Sequence, residues 1–304
     1  MKMAMQFHRQ RGAPERTRFV AFENAYHGDT TGAMSLCDPR RSMHAEFAGG
    51  LLQQFHLPLP VDEESEAILE RTLRKRGDEI AGVFIEPMVQ GAGGMRFHDA
   101  DVVRRTRAAC DRHGVLMIAD ELATGFGRTG TMFAIEAADV VPDVLCLGKS
   151  LTGGAIGMAA TVATDRVFQA FWSDDSASAL MHGPTFMANP LACAAANASL
   201  DLFEQQPRLS QALAIETQLR RELAPARDIP GVIDVRCRGA IGVIQVRRLE
   251  RLDRLREQFV RRGIWIRPFG DVIYTTPALT IDAQALNRIT TAMVEVTRDH
   301  FCPA

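Results

Sequence analysis

The chain has 304 residues, of which 46% are hydrophobic, and its formal net charge is −2. This length exceeds one small domain and fits one large domain with a smaller one, while the charge lacks the excess of Lys and Arg that nucleic acids or anionic membranes attract. No apolar run approaches the ~20 residues that cross a bilayer, and residues 1–8 lack a long apolar signal segment. We therefore expect a cytoplasmic protein without nucleic-acid or membrane partners.

The first third of the chain alternates predicted helices and strands. Ile68, Leu69 and Leu73 recur at helical spacing, and Asp99 is a candidate N-cap. In chain order, we predict a helix over residues 1–11, a strand over 18–22, a long irregular excursion over 40–62, a helix over 63–77, a strand over 81–85 and a helix over 99–113.

Two short apolar runs follow, residues 115–119 and 144–147, and a charged residue stands at or just beyond the end of each. Such runs are typical of buried strands in a parallel sheet. Ligands in these sheets bind at the carboxyl ends of the strands. Asp120 and Lys149 are therefore expected to share one pocket.

The rest of the chain first predicts one more strand of this sheet, with a loop and a helix after it. Beyond residue 205 the pattern of predicted helices and strands changes. After residue 149 we predict a strand over 159–163, a polar surface loop over 173–179 and an Ala-rich helix over 189–203. Beyond residue 205 we predict helices over 209–223, 249–262 and 282–298, with strands over 232–237, 241–246, 264–266 and 272–275. This α+β pattern indicates a large domain over residues 1–204 and a small C-terminal domain over 205–304.

An acid and a lysine in one pocket have a specific chemistry. A Lys with a lowered pKa bonds covalently to an aldehyde cofactor, and a nearby Asp can keep the pyridine nitrogen of pyridoxal phosphate (PLP) protonated. On Asp120 and Lys149 alone, a structural ion pair without chemistry remains the alternative. The six cysteines and eight histidines show no metal-ligand spacing, so we expect reduced thiols and no metal site.

Residues 120–130 (DELATGFGRTG), with Gly148 and Lys149, carry a motif that resembles the class III (ω-amino acid) aminotransferases of fold type I. The likeness extends from about residue 1 to the C-terminus. It implies an α/β fold with a mostly parallel central sheet flanked by helices and a smaller α+β C-terminal domain. The flanking motifs that support it are 26–30 (YHGDT), 85–95 (IEPMVQGAGGM), 181–187 (MHGPTFM) and 265–270 (WIRPFG).

Within this family, the flanking motifs and Ala123 resemble one branch. That branch moves an amino group from S-adenosylmethionine to 8-amino-7-oxononanoate, giving 7,8-diaminononanoate for biotin synthesis. The resemblance implies PLP as cofactor, these two small molecules as substrates, and a homodimer with shared active sites. A class III aminotransferase for another ω-amine or ω-amino acid is the closest alternative.

The resemblance also implies roles for single residues. Lys149, Asp120 and Tyr26 would be catalytic and contact PLP, with Tyr26 stacking on its ring. Further cofactor contacts are implied for His27, Glu86, Pro184 and Thr185, with Thr185 supplied by the neighbouring subunit. Substrate contacts are implied for Tyr26, Arg128, Gly183 and Arg267, where the planar guanidinium of Arg267 suits a carboxylate. From the residues alone, the alternatives are a core tyrosine at position 26, a turn threonine at 185 and an ion-paired arginine at 267.

In the resembled family a sizeable stretch precedes the point that matches residue 1. It carries part of the small domain, a Gly-Ser phosphate-binding turn and aromatic residues of the substrate site, and this sequence does not contain it. A fragment, a misassigned gene start and a true loss all remain open. A non-catalytic binding or dimerising module is therefore a further alternative.

Overall fold

The computed structural model describes residues 1–40 and 42–302. They form two compact units: Met1–Thr124 with Ile135–Leu200, and Gly125–Ala134 with the chain from Asp201 onward. The predicted domains, 1–204 and 205–304, stay a prediction, because the compactness of a unit does not show that it folds alone.

The first unit contains all the strands that precede residue 200. Its helices are α1 Lys2–Gln10, α2 Thr31–Met34, α3 Glu63–Arg76, α4 Ala100–His113, α5 Asp165–Phe168 and the start of α6 Pro190–Gln205. Its strands are β1 Arg18–Phe22, β2 Phe55–Leu57, β3 Ile80–Ile85, β4 Val89–Gln90, β5 Arg96–Phe97, β6 Leu116–Asp120, β7 Val144–Leu147 and β8 Ala160–Ala163.

Six of these strands form one sheet with the order β2-β1-β3-β6-β7-β8. The first five run parallel, and β8 pairs antiparallel with β7. All residues of β3 and β6 are buried, as expected for central parallel strands that are covered on both faces. On one face, Phe7 of α1 packs in a cluster with Phe19, Phe84 and Leu116 of the sheet.

The second unit has an antiparallel sheet with the strand order β11-β10-β9. Its elements are α7 Arg208–Leu223, β9 Val232–Arg238, β10 Ile241–Val246, α8 Leu252–Arg261, β11 Val272–Thr275 and α9 Ala283–Phe301. At Gly242 of β10, an added Cβ would lie 2.9 Å from Leu223 Cδ1 and 3.0 Å from Leu219 Cδ2. Glycine therefore allows α7 to pack closely on this sheet, and Leu219 is fully buried.

The predicted fold class is confirmed, and most predicted elements are found within a few residues of their expected bounds. Two local predictions are wrong. Residues 264–266 form no strand, since Ile266 is buried in the core of the second unit while the backbone joins no ladder. The excursion over 40–62 contains the unpredicted edge strand β2, whose three residues are too short for a periodic signal.

No helix of the described chain has both the length and the apolar composition that a membrane span requires.

Core packing of α7 predicts different costs for two leucines of this helix. Leu219→Ala leaves a cavity beneath β10, and we expect the free energy of unfolding to fall by about 2–5 kcal/mol. The control Leu213→Ala truncates a side chain that is 54% exposed, and we expect a change of less than about 1 kcal/mol. Urea unfolding followed by circular dichroism measures both, and equal losses would contradict the assigned packing.

Candidate active site

Four neighbouring parallel strands of the first unit end at the same edge of the sheet. β1 is followed by Tyr26 and His27, β3 is followed directly by Glu86, and β6 ends on Asp120. Lys149 comes two residues after the end of β7. This is the edge at which open parallel sheets bind their ligands, so the topology brings these five predicted site residues to one region.

The closest contact among them joins Asp120 and His27. His27 Nδ1 lies 2.7 Å from Asp120 Oδ2, and the two side chains are 2% and 10% exposed, respectively. Burial opposes a charge on His27, but the hydrogen bond to Asp120 and the charges of Asp120 and Glu86 outweigh it and raise the pKa of His27. The other carboxylate oxygen, Oδ1, accepts a hydrogen bond from the backbone N–H of Leu122 at 3.1 Å. Asp120 therefore keeps a fixed orientation.

Glu86 is a buried carboxyl group that joins two loops. Its Oε2 accepts a hydrogen bond from the backbone N–H of Tyr26 at 3.1 Å, and its Oε1 accepts one from that of Gly91 at 3.0 Å. Burial raises the pKa of Glu86 to about 7, while the nearby His27 charge acts in the opposite direction. The carboxyl group therefore holds the Tyr26 backbone and titrates near neutral pH.

Tyr26 presents its ring beside other polar groups. The ring stacks on that of His44, with centroids 5.8 Å apart and planes inclined by 22°. Its hydroxyl donates a hydrogen bond of 2.6 Å to Asp29 Oδ1. Burial, this hydrogen bond and the Asp29 charge raise the pKa of Tyr26, so the phenol stays protonated at neutral pH. Sequence reasoning missed the contribution of His44 and Asp29.

Lys149 has an unusual backbone conformation for a residue with a side chain. Its φ is +49°, in the left-handed region that costs such residues about 1–3 kcal/mol and is common at functional sites. Asp120 pairs in register with Cys146, three residues before Lys149. The Lys149 side chain is exposed, and no hydrogen bond or ion pair of residues 1–40 and 42–302 engages its amine. An aldehyde could therefore reach this amine.

The predicted residues Gly183, Pro184 and Thr185 lie on an exposed stretch of the first unit. Pro184 and Thr185 line a mainly apolar cavity of ≈ 1180 Å³ together with Cys146 of β7. The described contacts do not join Thr185 to Asp120 or His27. Phe186 and Met187, which follow directly, are 80% and 62% exposed.

The two predicted substrate arginines belong to the second unit. Arg128 Nη1 donates hydrogen bonds to the backbone oxygens of Ala240 at 3.1 Å and Pro277 at 2.7 Å, and burial lowers its pKa. These bonds hold the 125–134 segment within its own unit. Arg267 is exposed and follows the buried Ile266. Substrate contacts of both arginines stay predictions.

Sequence reasoning also missed the structural use of Glu121. Its side chain is fully buried; Oε2 accepts a hydrogen bond from Thr124 Oγ1 at 2.6 Å and Oε1 accepts one from the backbone N–H of Ile135 at 2.7 Å. Successive residues at a strand end point to opposite sides. The adjacent acids Asp120 and Glu121 were therefore the available signal that the two carboxylates have different surroundings. Among the described residues, no group of three His, Cys, Asp or Glu side chains is arranged to hold a metal ion.

Comparison with known proteins adds independent information. A family model described as aminotransferase class-III matches residues 1–297. An adenosylmethionine-8-amino-7-oxononanoate aminotransferase from Corynebacterium glutamicum is 43% identical over 298 residues, which cover 96% of this chain and 70% of that protein.

Solved structures of aminotransferases are also similar to this chain. The adenosylmethionine-8-amino-7-oxononanoate aminotransferase of Methanocaldococcus jannaschii is similar with a TM-score of 0.92 and 32% identity, covering 98% of this chain and 72% of the other. An amine transaminase from an uncultivated Pseudomonas species, solved in its PLP-bound form, has a TM-score of 0.86 and 32% identity, with 99% and 72% covered.

The raised pKa of Glu86 predicts a pH-dependent stability. Between the unfolded pKa of 4.5 and about 7, the folded protein keeps a proton that the unfolded chain releases, so the Glu86 contribution to stability falls as pH rises through this window. Glu86→Gln cannot titrate. The free energy of unfolding of Glu86→Gln minus that of wild type should therefore increase by roughly 2–4 kcal/mol from pH 5 to pH 8, because one proton contributes about 1.4 kcal/mol per pH unit.

Urea unfolding at both pH values measures this difference. The control Glu64→Gln changes an exposed glutamate in the first turn of α3 and should keep the wild-type pH dependence. Parallel stability curves for wild type and Glu86→Gln would contradict the assignment.

Proposed function

Because the chain belongs to the class III aminotransferases, and is thus an enzyme of that family, we propose that it aminates 8-amino-7-oxononanoate with S-adenosylmethionine as donor. The amino group leaves the donor carbon, which becomes a ketone, and replaces the C7 oxygen of the acceptor to give 7,8-diaminononanoate. The name and 43% identity of the Corynebacterium relative support this substrate pair. The arrangement of Lys149 and Asp120 at the ends of adjacent strands carries the chemical part of the proposal.

The residues at the sheet edge suit PLP as the cofactor. The exposed Lys149 amine has no partner within the described ranges, and the oriented carboxylate of Asp120 stands at the end of the neighbouring strand. When bound, PLP supplies an electron sink for bond cleavage at the amine-bearing carbon. The PLP-bound form of the Pseudomonas transaminase supports this cofactor.

We assign Lys149 two tasks at one atom. Its Nζ would hold PLP through the cofactor's aldehyde group, and the free Nζ would act as the base and acid that takes a proton from the donor carbon and returns it. The left-handed backbone conformation of Lys149 sets the direction in which its side chain leaves the turn that follows Gly148.

Asp120 would keep the pyridine nitrogen of bound PLP protonated, and His27 positions Asp120 through its Oδ2. The Tyr26 ring would cover one face of the cofactor, an aromatic contact worth about 0.5–1.5 kcal/mol beyond burial. Its placement depends on the hydrogen bond from its backbone N–H to Glu86. Arg267, with Arg128, is assigned to the carboxylate of the keto substrate.

We further propose a homodimer with shared active sites, in which Gly183, Pro184 and Thr185 serve the partner's site. Their stretch is exposed in the single chain, and the neighbouring Met181, Phe186 and Met187 present apolar side chains to solvent. Contiguous exposed apolar surface of this kind marks contact sites. The Thr185 hydroxyl would bind the cofactor phosphate.

Covalent labelling tests Lys149, because the sequence contains only two other lysines, Lys2 and Lys75. After incubation with PLP and reduction with borohydride, peptide mass mapping should find the cofactor on Lys149. Lys149→Ala should lose this label and lower kcat by more than ~10³-fold. Lys75→Ala, an exposed change on α3, should keep both, and robust turnover by Lys149→Ala would refute the assignment.

Substrate profiling tests the reaction itself. We expect 7,8-diaminononanoate from S-adenosylmethionine and 8-amino-7-oxononanoate, detected by mass spectrometry, and little turnover of putrescine or ornithine. Activity on putrescine or ornithine with none on the oxononanoate would assign the chain to another ω-amine reaction. A folded protein that labels at Lys149 but turns over no substrate would favour the non-catalytic binding module.

A further inference from the structure

A cluster of arginines in the second unit has no part in the proposed reaction. Four arginines occur within eight residues, three on the connection between β10 and α8 and one in the first turn of α8. All four line one cavity of ≈ 560 Å³. They are Arg247, Arg248, Arg251 and Arg254.

The charges around this cavity are unbalanced. Glu250 lies 3.6 Å from Arg248, and Asp299 already accepts a 2.7 Å hydrogen bond from Arg262. No hydrogen bond or ion pair among residues 1–40 and 42–302 engages the guanidinium groups of the other three arginines. Three uncompensated positive charges thus surround one concavity, in a chain whose net charge is −2.

The walls of the cavity are held in place by packing. The backbone N–H of Arg247 donates a 2.8 Å hydrogen bond to the oxygen of Gly231. Gly231 has a φ of +90°, and an added Cβ would lie 2.5 Å from the Phe301 ring, so only glycine fits there. Phe301 and the buried Leu255 provide apolar lining beside the arginines.

A neutral polar side chain also lines this cavity. Gln258 lines the cavity, and its buried Oε1 accepts no hydrogen bond within the described part of the chain. The cavity therefore offers cationic, apolar and hydrogen-bonding surfaces together.

We propose that this cavity binds a small organic phosphate. A guanidinium group can donate two parallel hydrogen bonds to the oxygens of one phosphate group. Three positive charges without an ion-pair partner also suit a phosphate dianion better than a single carboxylate. The volume falls within the ~300–1,000 Å³ typical of small-molecule sites. The apolar wall would contact the organic part of the ligand. The site is independent of PLP and of the proposed reaction.

Isothermal titration calorimetry at 150 mM salt tests this proposal. The sample is the full chain, treated with PLP and then freed of excess PLP. We expect saturable binding of AMP or ribose 5-phosphate, weaker binding of inorganic phosphate and none of adenosine. Arg254→Ala should weaken the binding of the organic phosphate at least tenfold. The control Arg261→Ala removes an equal charge from the same helix, at an exposed residue paired with Glu257, and should change the affinity less than twofold.

Three results would overturn the proposal. The first is no saturable binding of either organic phosphate to a folded wild-type protein. The second is equal weakening by Arg254→Ala and Arg261→Ala, which would indicate general charge attraction. The third is inorganic phosphate binding as tightly as both organic phosphates. None of these results bears on transamination, so this proposal can fail while the proposed function holds.

Discussion

Parallel pairing of β1, β3, β6 and β7 is the constraint on which the candidate active site depends. Parallel strands end at the same edge of a sheet, so residues far apart in sequence become neighbours there. The pairing register also determines which face each side chain occupies, and a slip of one residue in β6 would turn Asp120 to the other face.

Burying ionisable groups side by side has an energetic consequence for this edge. Asp120 stabilises the charge of His27, whereas burial keeps Glu86 largely protonated below its pKa of about 7. This combination reduces the net charge that the interior must carry. The same carboxyl group accepts hydrogen bonds from two loops, which links the protonation of Glu86 to the position of Tyr26.

The glycine-rich part of the central motif has a structural use within the second unit. Arg128 bonds to the backbone oxygens of Ala240 and Pro277, and the Ala240 backbone N–H donates to the Arg128 oxygen at 3.0 Å. At Gly239 the φ is +51° and an added Cβ would lie 2.5 Å from that oxygen. The segment is therefore held closely against the β9–β10 turn, an arrangement that needs glycine at the turn.

The sequence by itself determined the fold class, the two central strands and the positions of Asp120 and Lys149 at or just beyond their ends, because hydrophobic periodicity and motif spacing are local properties of the chain. Strand β2 and the absence of a strand at 264–266 depended on available pairing partners, which local pattern does not report.

Only the tertiary structure decided which charged groups meet. It joined His27 to Asp120, placed Glu121 between the ends of one loop, and gathered four arginines from the β10–α8 connection and the first turn of α8 around one cavity. The physical reason is that hydrogen bonding, burial and electrostatic interaction depend on distances in space, and those distances are fixed by the packing of elements distant in sequence.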